Sequence, residues 1–307
     1  MITLLAGGVG GARLLRGLAA VVPHEQLTVV VNTGDDDEFY GLAVSPDIDT
    51  IVYTLAGLAP LERGWGIDGD TFRVRDELDR LSGKGWFALG DRDVATHVYR
   101  SWRLHQGATA TLVTSELCRA RGIDVRVLPM SDDPVRTEIV SDQGVLAFQE
   151  YLVHLRAAPA VRSVRYRGAD SAAPAAGVIE AIESSALIVI APSNPFVSIG
   201  PILAVPGLRA ALTKARARVV AVSPLIGGRA VKGPLADMLG AMGHSTDNAA
   251  IADFYRDLAA RLVVAPGDGP RQAAQAKMEV LERDILLLEP QRAQALARFL
   301  CSLEAAR

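Results

Sequence analysis

Cysteine is nearly missing from this chain. The two that occur, Cys118 and Cys301, are far apart and show no metal-ligand spacing. This argues against a disulfide framework or a thiolate metal site and fits a reducing cytoplasm. Neither sign of charge dominates: 32 basic residues face 35 acidic ones, for a net charge of -3, and no basic stripe points to nucleic acid. No apolar run reaches the roughly 20 residues that a membrane span requires, so no membrane partner is expected. The N-terminal ITLLA has no charged region before it and is too short for a secretory signal. Internal repeats and low-complexity tracts are absent as well. What remains is an ordinary globular composition. Half of the 307 residues are hydrophobic and the mean hydropathy is +0.22, enough for a sizeable core. We read residues 1–307 as a single large domain.

The chain is organised around its first thirty-odd residues. Ile2 to Ala6 is a short apolar run, followed at once by Gly7-Gly8-Val9-Gly10-Gly11-Ala12-Arg13. Leu14, Leu15, Leu18 and Val22 then recur at helical spacing, and Leu27 to Val31 is a second buried-looking strand ending in Asn32-Thr33-Gly34-Asp35-Asp36-Asp37. This is a βαβ unit. Glycines let the backbone approach a bulky anion, and the helix N-terminus behind them offers N–H groups. The loop matches neither common phosphate signature. No Lys-Ser/Thr closes it as in a Walker loop, and Arg13 stands where the dinucleotide fingerprint needs a small residue. A generic NAD(P)-dependent oxidoreductase is therefore disfavoured.

Further strands are expected at Asp124–Leu128, Ala186–Ala191, Arg218–Val222, Leu262–Ala265 and Ile285–Leu288, with a hairpin at Val135–Val140 and Val145–Phe148 and a strand at Arg162–Tyr166. Helices are expected over 175–184, around Leu235 to Met242, and over 291–303. Residues 60–110 fall outside the βα pattern and read as a mainly helical cover carrying Trp65, Trp86 and Trp102. Two carboxylates in Ser45-Pro46-Asp47-Ile48-Asp49 read locally as a helix cap. In Gly90-Asp91-Arg92-Asp93, Arg92 reads as a surface ion pair and Asp91 as a cap, and His97 as a structural histidine.

In an open parallel sheet, ligands bind outside the carboxyl ends of the strands. Four small-residue loops follow apolar strands directly: Gly7–Gly11, Asn32–Asp37, Pro192–Asn194 and Ser223–Gly228. Together they make a polar, glycine-rich crevice whose Ser and Asn side chains suit a base, ribose or phosphate.

At this point the motifs converge. GGVGGARLLRGL (7–18), VVNTGDD (30–36), SPDIDT (45–50), GWGIDGDTF (64–72), LGDRDVATH (89–97), LPMSDDPVRTEI (128–139), APSNPFVSIGPIL (191–203) and VSPLIGG (222–228) occur in one order over about residues 1–245. The chain resembles the CofD family of coenzyme F-420 biosynthesis, called FbiA in actinobacteria. The resemblance implies a Rossmann-like, mainly parallel sheet with helices on both faces and a mostly helical region over the deazaflavin. It implies a Mg²⁺-dependent transferase that moves a phosphorylated small acid from its guanosine diphosphate ester to the terminal ribityl hydroxyl of the deazaflavin Fo, releasing GMP. The acid would be of the lactate, enolpyruvate or glycerate type. By the same resemblance Gly7, Gly8, Gly10, Gly11, Ser193, Asn194, Ser223, Gly227 and Gly228 would cradle the guanosine diphosphate. Asp35 and Asp49 would bind Mg²⁺ with Asp47 in reserve, and Asp49 and Arg92 would approach Fo. The GGVGGAR loop departs from the Gly-Thr-Gly-Thr-Pro-Lys type of some archaeal members. A YvcK-like nucleotide or nucleotide-sugar binder is the alternative, which LGDRD, PDIDT and LPMSDDP disfavour. A homodimer is the expected assembly.

Overall fold

The computed structural model describes residues 1–83, 85–269 and 278–304. Seven strands form the central sheet: β1 (Ile2–Ala6), β2 (Leu27–Val31), β3 (Arg126–Pro129), β4 (Leu187–Ile190), β5 (Val219–Val222), β6 (Arg261–Val264) and β7 (Glu279–Glu282). Their order is β7-β6-β5-β4-β1-β2-β3, and every neighbouring pair is parallel. The mixed α/β architecture with helices on both faces is the one that the apolar strand runs imply.

Alternation explains how continuously apolar strands serve two layers. Ile2, Leu4 and Ala6 of β1 face one core, together with Val29 and Val31 of β2 and Val189 of β4. Leu5, Val30, Ile188 and Ile190 face the other. Helices α1 (Gly8–Ala19) and α2 (Pro46–Leu55) and the C-terminal helix Pro290–Ser302 cover the first face through Leu15, Leu18, Ile51 and Leu300. Helices at Val178–Ser184, Leu208–Lys214 and Asn248–Tyr255 cover the second. Each fully buried aliphatic side chain is worth about 1.5–3 kcal/mol, so both faces contribute strongly to folding. The three-stranded antiparallel sheet Gly144–Ala147, Arg136–Ser141 and Val161–Arg167 matches the expected hairpin and its neighbour.

One strand is misplaced in the sequence reading. Ile285–Leu288 does not pair; the edge strand is Glu279–Glu282, in parallel register with β6 from Arg261↔Glu279 to Val264↔Glu282. Its charged ends suit an exposed edge, where Glu279 Oε2 accepts from Arg261 Nε at 2.9 Å. Ile285 and Leu287 are instead plugs, buried against the first core after the chain has left the sheet.

Between β2 and β3 lie α3 (Arg73–Ser82), α4 (Asp91–His105) and α5 (Ala110–Ala120). Two aspartates tie the first pair together by capping each other's helix. Asp70 accepts from the backbone N–H groups of Arg92 (2.9 Å) and Asp93 (3.1 Å) at the start of α4. Asp91, the first residue of α4, accepts from those of Val74 (2.9 Å) and Arg73 (3.2 Å) at the start of α3 and from the Thr71 hydroxyl at 2.6 Å. Asp91 is thus a cap, but of the preceding helix rather than its own.

Candidate active site

Strand β1 sits between β2 and β4, so the strand order reverses there while all strands stay parallel, and the loops after β1 and β4 part to opposite sides. This is the topological switch point at which open parallel sheets bind ligands. The two loops interlock. Ser193 Oγ donates to the Gly7 carbonyl at 2.6 Å, and Gly10 passes so close to Pro192 that a β-carbon there would collide with the Pro192 carbonyl oxygen. A cavity of about 550 Å³ opens over this point.

Of the residues singled out by sequence, Gly7, Gly8, Gly10, Ser193, Asn194 and Ser223 line the cavity, as do Asp35, Asp47 and Asp49. Gly11, Gly227, Gly228 and Arg92 are not in its wall. Gly11 packs on Ala6 and Ser193. Gly227 and Gly228 have φ of 58° and 72° because they turn a small hairpin between Leu225–Ile226 and Arg229–Ala230. Their backbone requirement is therefore the turn itself. Arg92 is exposed and forms no ion pair among the described residues; its Nη1 donates to the Asp68 carbonyl at 3.3 Å.

The acidic residues fall into two groups. In the first, Asn32 Nδ2 donates to both Asp35 (2.8 Å) and Asp47 (2.9 Å). Gln149 Nε2 donates to the other oxygen of Asp35 at 3.1 Å, and the Gly8 N–H donates to Asp47 at 2.6 Å. Asp47 thus caps the glycine helix α1, not the helix it belongs to. Burial, reinforced by the charges of Asp47 and Asp36, holds the Asp35 carboxyl well above the usual carboxylate range. Burial likewise pushes Asp47 up to about 6.

The second group lies along α4, where Asp93, His97 and Arg100 recur at i, i+4 and i+7 and so share one helix face. Arg100 pairs with both oxygens of Asp49, and both side chains are buried. Arg100 Nη1 also lies 3.2 Å from His97 Nδ1. Since a guanidinium only donates, Nδ1 accepts and the ring proton sits on Nε2, 3.3 Å from Asp93 Oδ1. Tyr53 donates its hydroxyl to the same Asp93 oxygen at 2.5 Å. Asp49, Asp93 and His97 offer ligand atoms within 4.8 Å of one another, a group that can hold a metal ion.

A family model described as 2-phospho-L-lactate transferase CofD matches residues 2–296. The chain belongs to the CofD family. With that family it is a transferase of coenzyme F-420 biosynthesis. A phosphoenolpyruvate transferase of Streptomyces griseus subsp. griseus is 47% identical over 259 residues, covering 83% of this chain and 81% of that protein. One of Thermobifida fusca is 42% identical and covers 96% of this chain and 95% of its own. A 2-phospho-L-lactate transferase of Methanosarcina acetivorans is 38% identical, covering 98% of each. Among solved structures, protein BH3568 of Bacillus halodurans superposes with a TM-score of 0.61 at 17% identity over 98% of both chains. A second structure of it, described as a member of the upf0052 family, gives 0.59 at 18% identity over 97% of this chain and 99% of that one. At such identity the likeness concerns the fold alone.

Within this CofD-family chain, sequence reasoning passed over Arg100, Tyr53, Gln149 and Lys232, each of which holds or joins the polar wall. For Arg100 a signal existed: the i, i+4, i+7 polar stripe through Asp93 and His97. The other three carry no local pattern. The stretch 60–110 contributes Trp65, Gly66, Phe87, Ala88, Asp93 and His97 to the cavity, while Trp86 packs edge-on to Phe39 with ring centroids 5.4 Å apart, and Trp102 is exposed. No single helix among the described residues is long and apolar enough to cross a membrane.

Proposed function

We propose that this CofD-family chain transfers a phosphorylated three-carbon acid from its guanosine diphosphate ester to the terminal ribityl hydroxyl of Fo. The observation that carries this reading is the cavity at the β1–β4 switch point, where strand-end glycines, buried carboxylates and an apolar wall meet in one space. Ser193, Asn194, Ser223 and the glycine loop line the part that suits a nucleoside diphosphate. Trp65, Phe87, Leu152 and Leu287 offer the apolar surface that a deazaflavin ring requires. The enolpyruvyl acid is our first choice, because the relatives named phosphoenolpyruvate transferase reach 47–49% identity.

The donor set fits Mg²⁺. Asp35 and Asp47 are buried and share one Asn32 amide, burial raises the cost of ionising both, and the charge of Asp47 adds to that cost at Asp35, so a hard divalent cation would hold both as carboxylates. We therefore place the ion on Asp35 and Asp47 rather than on Asp35 and Asp49, since Asp49 already has Arg100 as its counter-charge. Bound there, Mg²⁺ would neutralise phosphate charge. In the reaction the ribityl oxygen attacks the phosphorus that carries the acid. The bond from that phosphorus to the bridging oxygen breaks, GMP leaves with the electron pair, and the hydroxyl proton is released. The chain's own part is positioning. Asp49, fixed by Arg100, accepts from the ribityl hydroxyl. Arg92 joins the acceptor side by exchanging its single long bond to Asp68 for a contact with Fo.

The test is an assay with Fo and each guanosine-linked acid, products weighed by mass spectrometry, in Mg²⁺ and in excess EDTA. A coupled deazaflavin product with released GMP is expected in Mg²⁺ alone. Asp35→Asn should lose at least about a hundredfold in rate, consistent with several kcal/mol of charge stabilisation. Full turnover in EDTA, or no coupled product with any of the acids, would refute the reading.

A further inference from the structure

Among the described residues, the cavity wall holds four aspartates but only two lysine or arginine side chains, Arg13 and Lys232. Neither has a carboxylate partner among the described residues. Arg13 lies in α1, is 6% exposed, and is pinned by its Nη2, which donates to the carbonyls of Leu61 (3.4 Å) and Glu62 (3.0 Å). Its Nε is buried without any hydrogen-bond partner. Lys232 comes from a distant part of the chain, just after the Leu225–Ala230 hairpin, and its Nζ donates to the Arg63 carbonyl at 2.8 Å. One turn, Leu61 to Arg63, thus gathers both cations through neutral carbonyls. Burial and mutual repulsion with Arg13 and Arg63 lower the Lys232 pKa. A buried guanidinium N–H left unpaired costs free energy, and two unneutralised cations side by side cost more. The fold retains a corner that an anion would stabilise.

We propose that Arg13 and Lys232 form the pocket for the carboxylate of the transferred acid. This rests on the reading that the donor is a guanosine-diphosphate-linked acid. Such a donor has three anionic groups, and the cavity offers three kinds of complement. The two phosphates have the glycine-loop N–H groups and the oxygen-ligand metal site at Asp35 and Asp47. For the carboxylate, the lysine and arginine complement among the described lining residues is these two side chains. With Nη2 held by the two carbonyls, Nη1 of Arg13 is the donor that would meet the carboxylate, and Lys232 adds a point charge on a flexible stem. The pair would then discriminate an acid from any neutral analogue of the same shape, and hold the acid-bearing phosphorus at a fixed distance from the nucleotide.

The experiment compares the acid donor with its carboxamide analogue on wild type, Lys232→Gln and Arg13→Gln, and measures GDP affinity by calorimetry. Lys232 is exposed enough for its variant to fold, so the test does not hang on the buried Arg13. Wild type should prefer the acid over the amide. Lys232→Gln should raise KM for the acid about ten- to hundredfold, leave the amide little changed, and hold GDP affinity within a few-fold. An unchanged acid-over-amide preference in the active variant overturns the carboxylate pocket alone. A fall in GDP affinity in step with KM also overturns it, since the cations then hold phosphate. Absence of donor turnover by wild type overturns the transferase reading beneath it as well.

Discussion

The strand ends and the stretch between residues 60 and 110 build one cavity by opposite means. At the strand ends the backbone does the positioning. Loops of Gly, Ser and Asn leave parallel strands whose register is set by buried aliphatic alternation, and Gly7 and Ser193 meet because β1 and β4 are neighbours. In the inserted stretch side chains do it. Asp70 and Asp91 cap each other's helices, and Arg100, His97 and Asp93 of α4 join Asp49 and Tyr53 of α2 in a buried polar network. Hydrophobic burial tolerates substitution of similar volume, whereas a buried polar network is costly when any member is lost. The two regions should therefore fail differently.

The largest effect belongs to the network. Arg100→Ala leaves Asp49 buried and unpaired, which costs about 3–5 kcal/mol. A chemical-denaturation midpoint should fall accordingly, and Asp49→Asn combined with Arg100→Met should recover most of the loss, because both partners are then gone. If Arg100→Ala costs under about 1 kcal/mol, the pair is a solvated one and the contrast between the regions collapses. At the strand ends the sharpest lesion is steric. Gly10→Ala drives a β-carbon into the Pro192 carbonyl, a backbone atom that cannot swing aside. Overpacking of this kind costs about 1–3 kcal/mol, and nucleotide affinity should fall with it because the two loops line the same cavity. A variant with wild-type stability and GDP binding would show that the loops are not interlocked.

These differences also explain what could be read from sequence. Continuous apolar runs such as Leu27–Val31 and Leu187–Ile190 announce buried parallel strands, and the small residues after them announce the crevice. Ile285–Leu288 was apolar for another reason, as two core plugs, and its pattern alone does not separate the two. Gly227 and Gly228 were legible as special backbone but not as a hairpin turn outside the cavity. The capping roles of Asp47, Asp70 and Asp91 all cross from one element to another. A local rule assigns such a residue to the nearest helix, and here the nearest helix was the wrong one.

Between these extremes sits the crossed capping pair. Asp70→Ala frees two N–H groups at the start of α4 and should cost about 1 kcal/mol, read as a modest drop in melting temperature. The same change should raise KM for Fo, since α4 carries Asp93 and His97 in the cavity wall, yet spare GDP binding at the strand ends. Loss of GDP binding of equal size would mean that the inserted stretch and the strand ends do not act as separable parts.

The smallest effect on the fold is expected at Arg92. Its side chain is exposed and its one side-chain bond among the described residues, 3.3 Å to the Asp68 carbonyl, is weak. Arg92→Ala should therefore leave stability within about 0.5 kcal/mol. Function is where it tests the comparison. Arg92 stands beside Asp93, which is in the cavity wall, so a long flexible side chain can exchange the Asp68 carbonyl for a bound group at little cost. Losing a charged hydrogen bond to Fo would cost about 1.5–3 kcal/mol, roughly ten- to hundredfold in Fo use, while GDP affinity stays within a few-fold. If GDP binding falls by the same factor, Arg92 serves the nucleotide and the division of labour between strand ends and inserted stretch is wrong. If neither moves, Arg92 is a surface residue, and the acceptor side of the cavity rests on Asp49 and the network behind it.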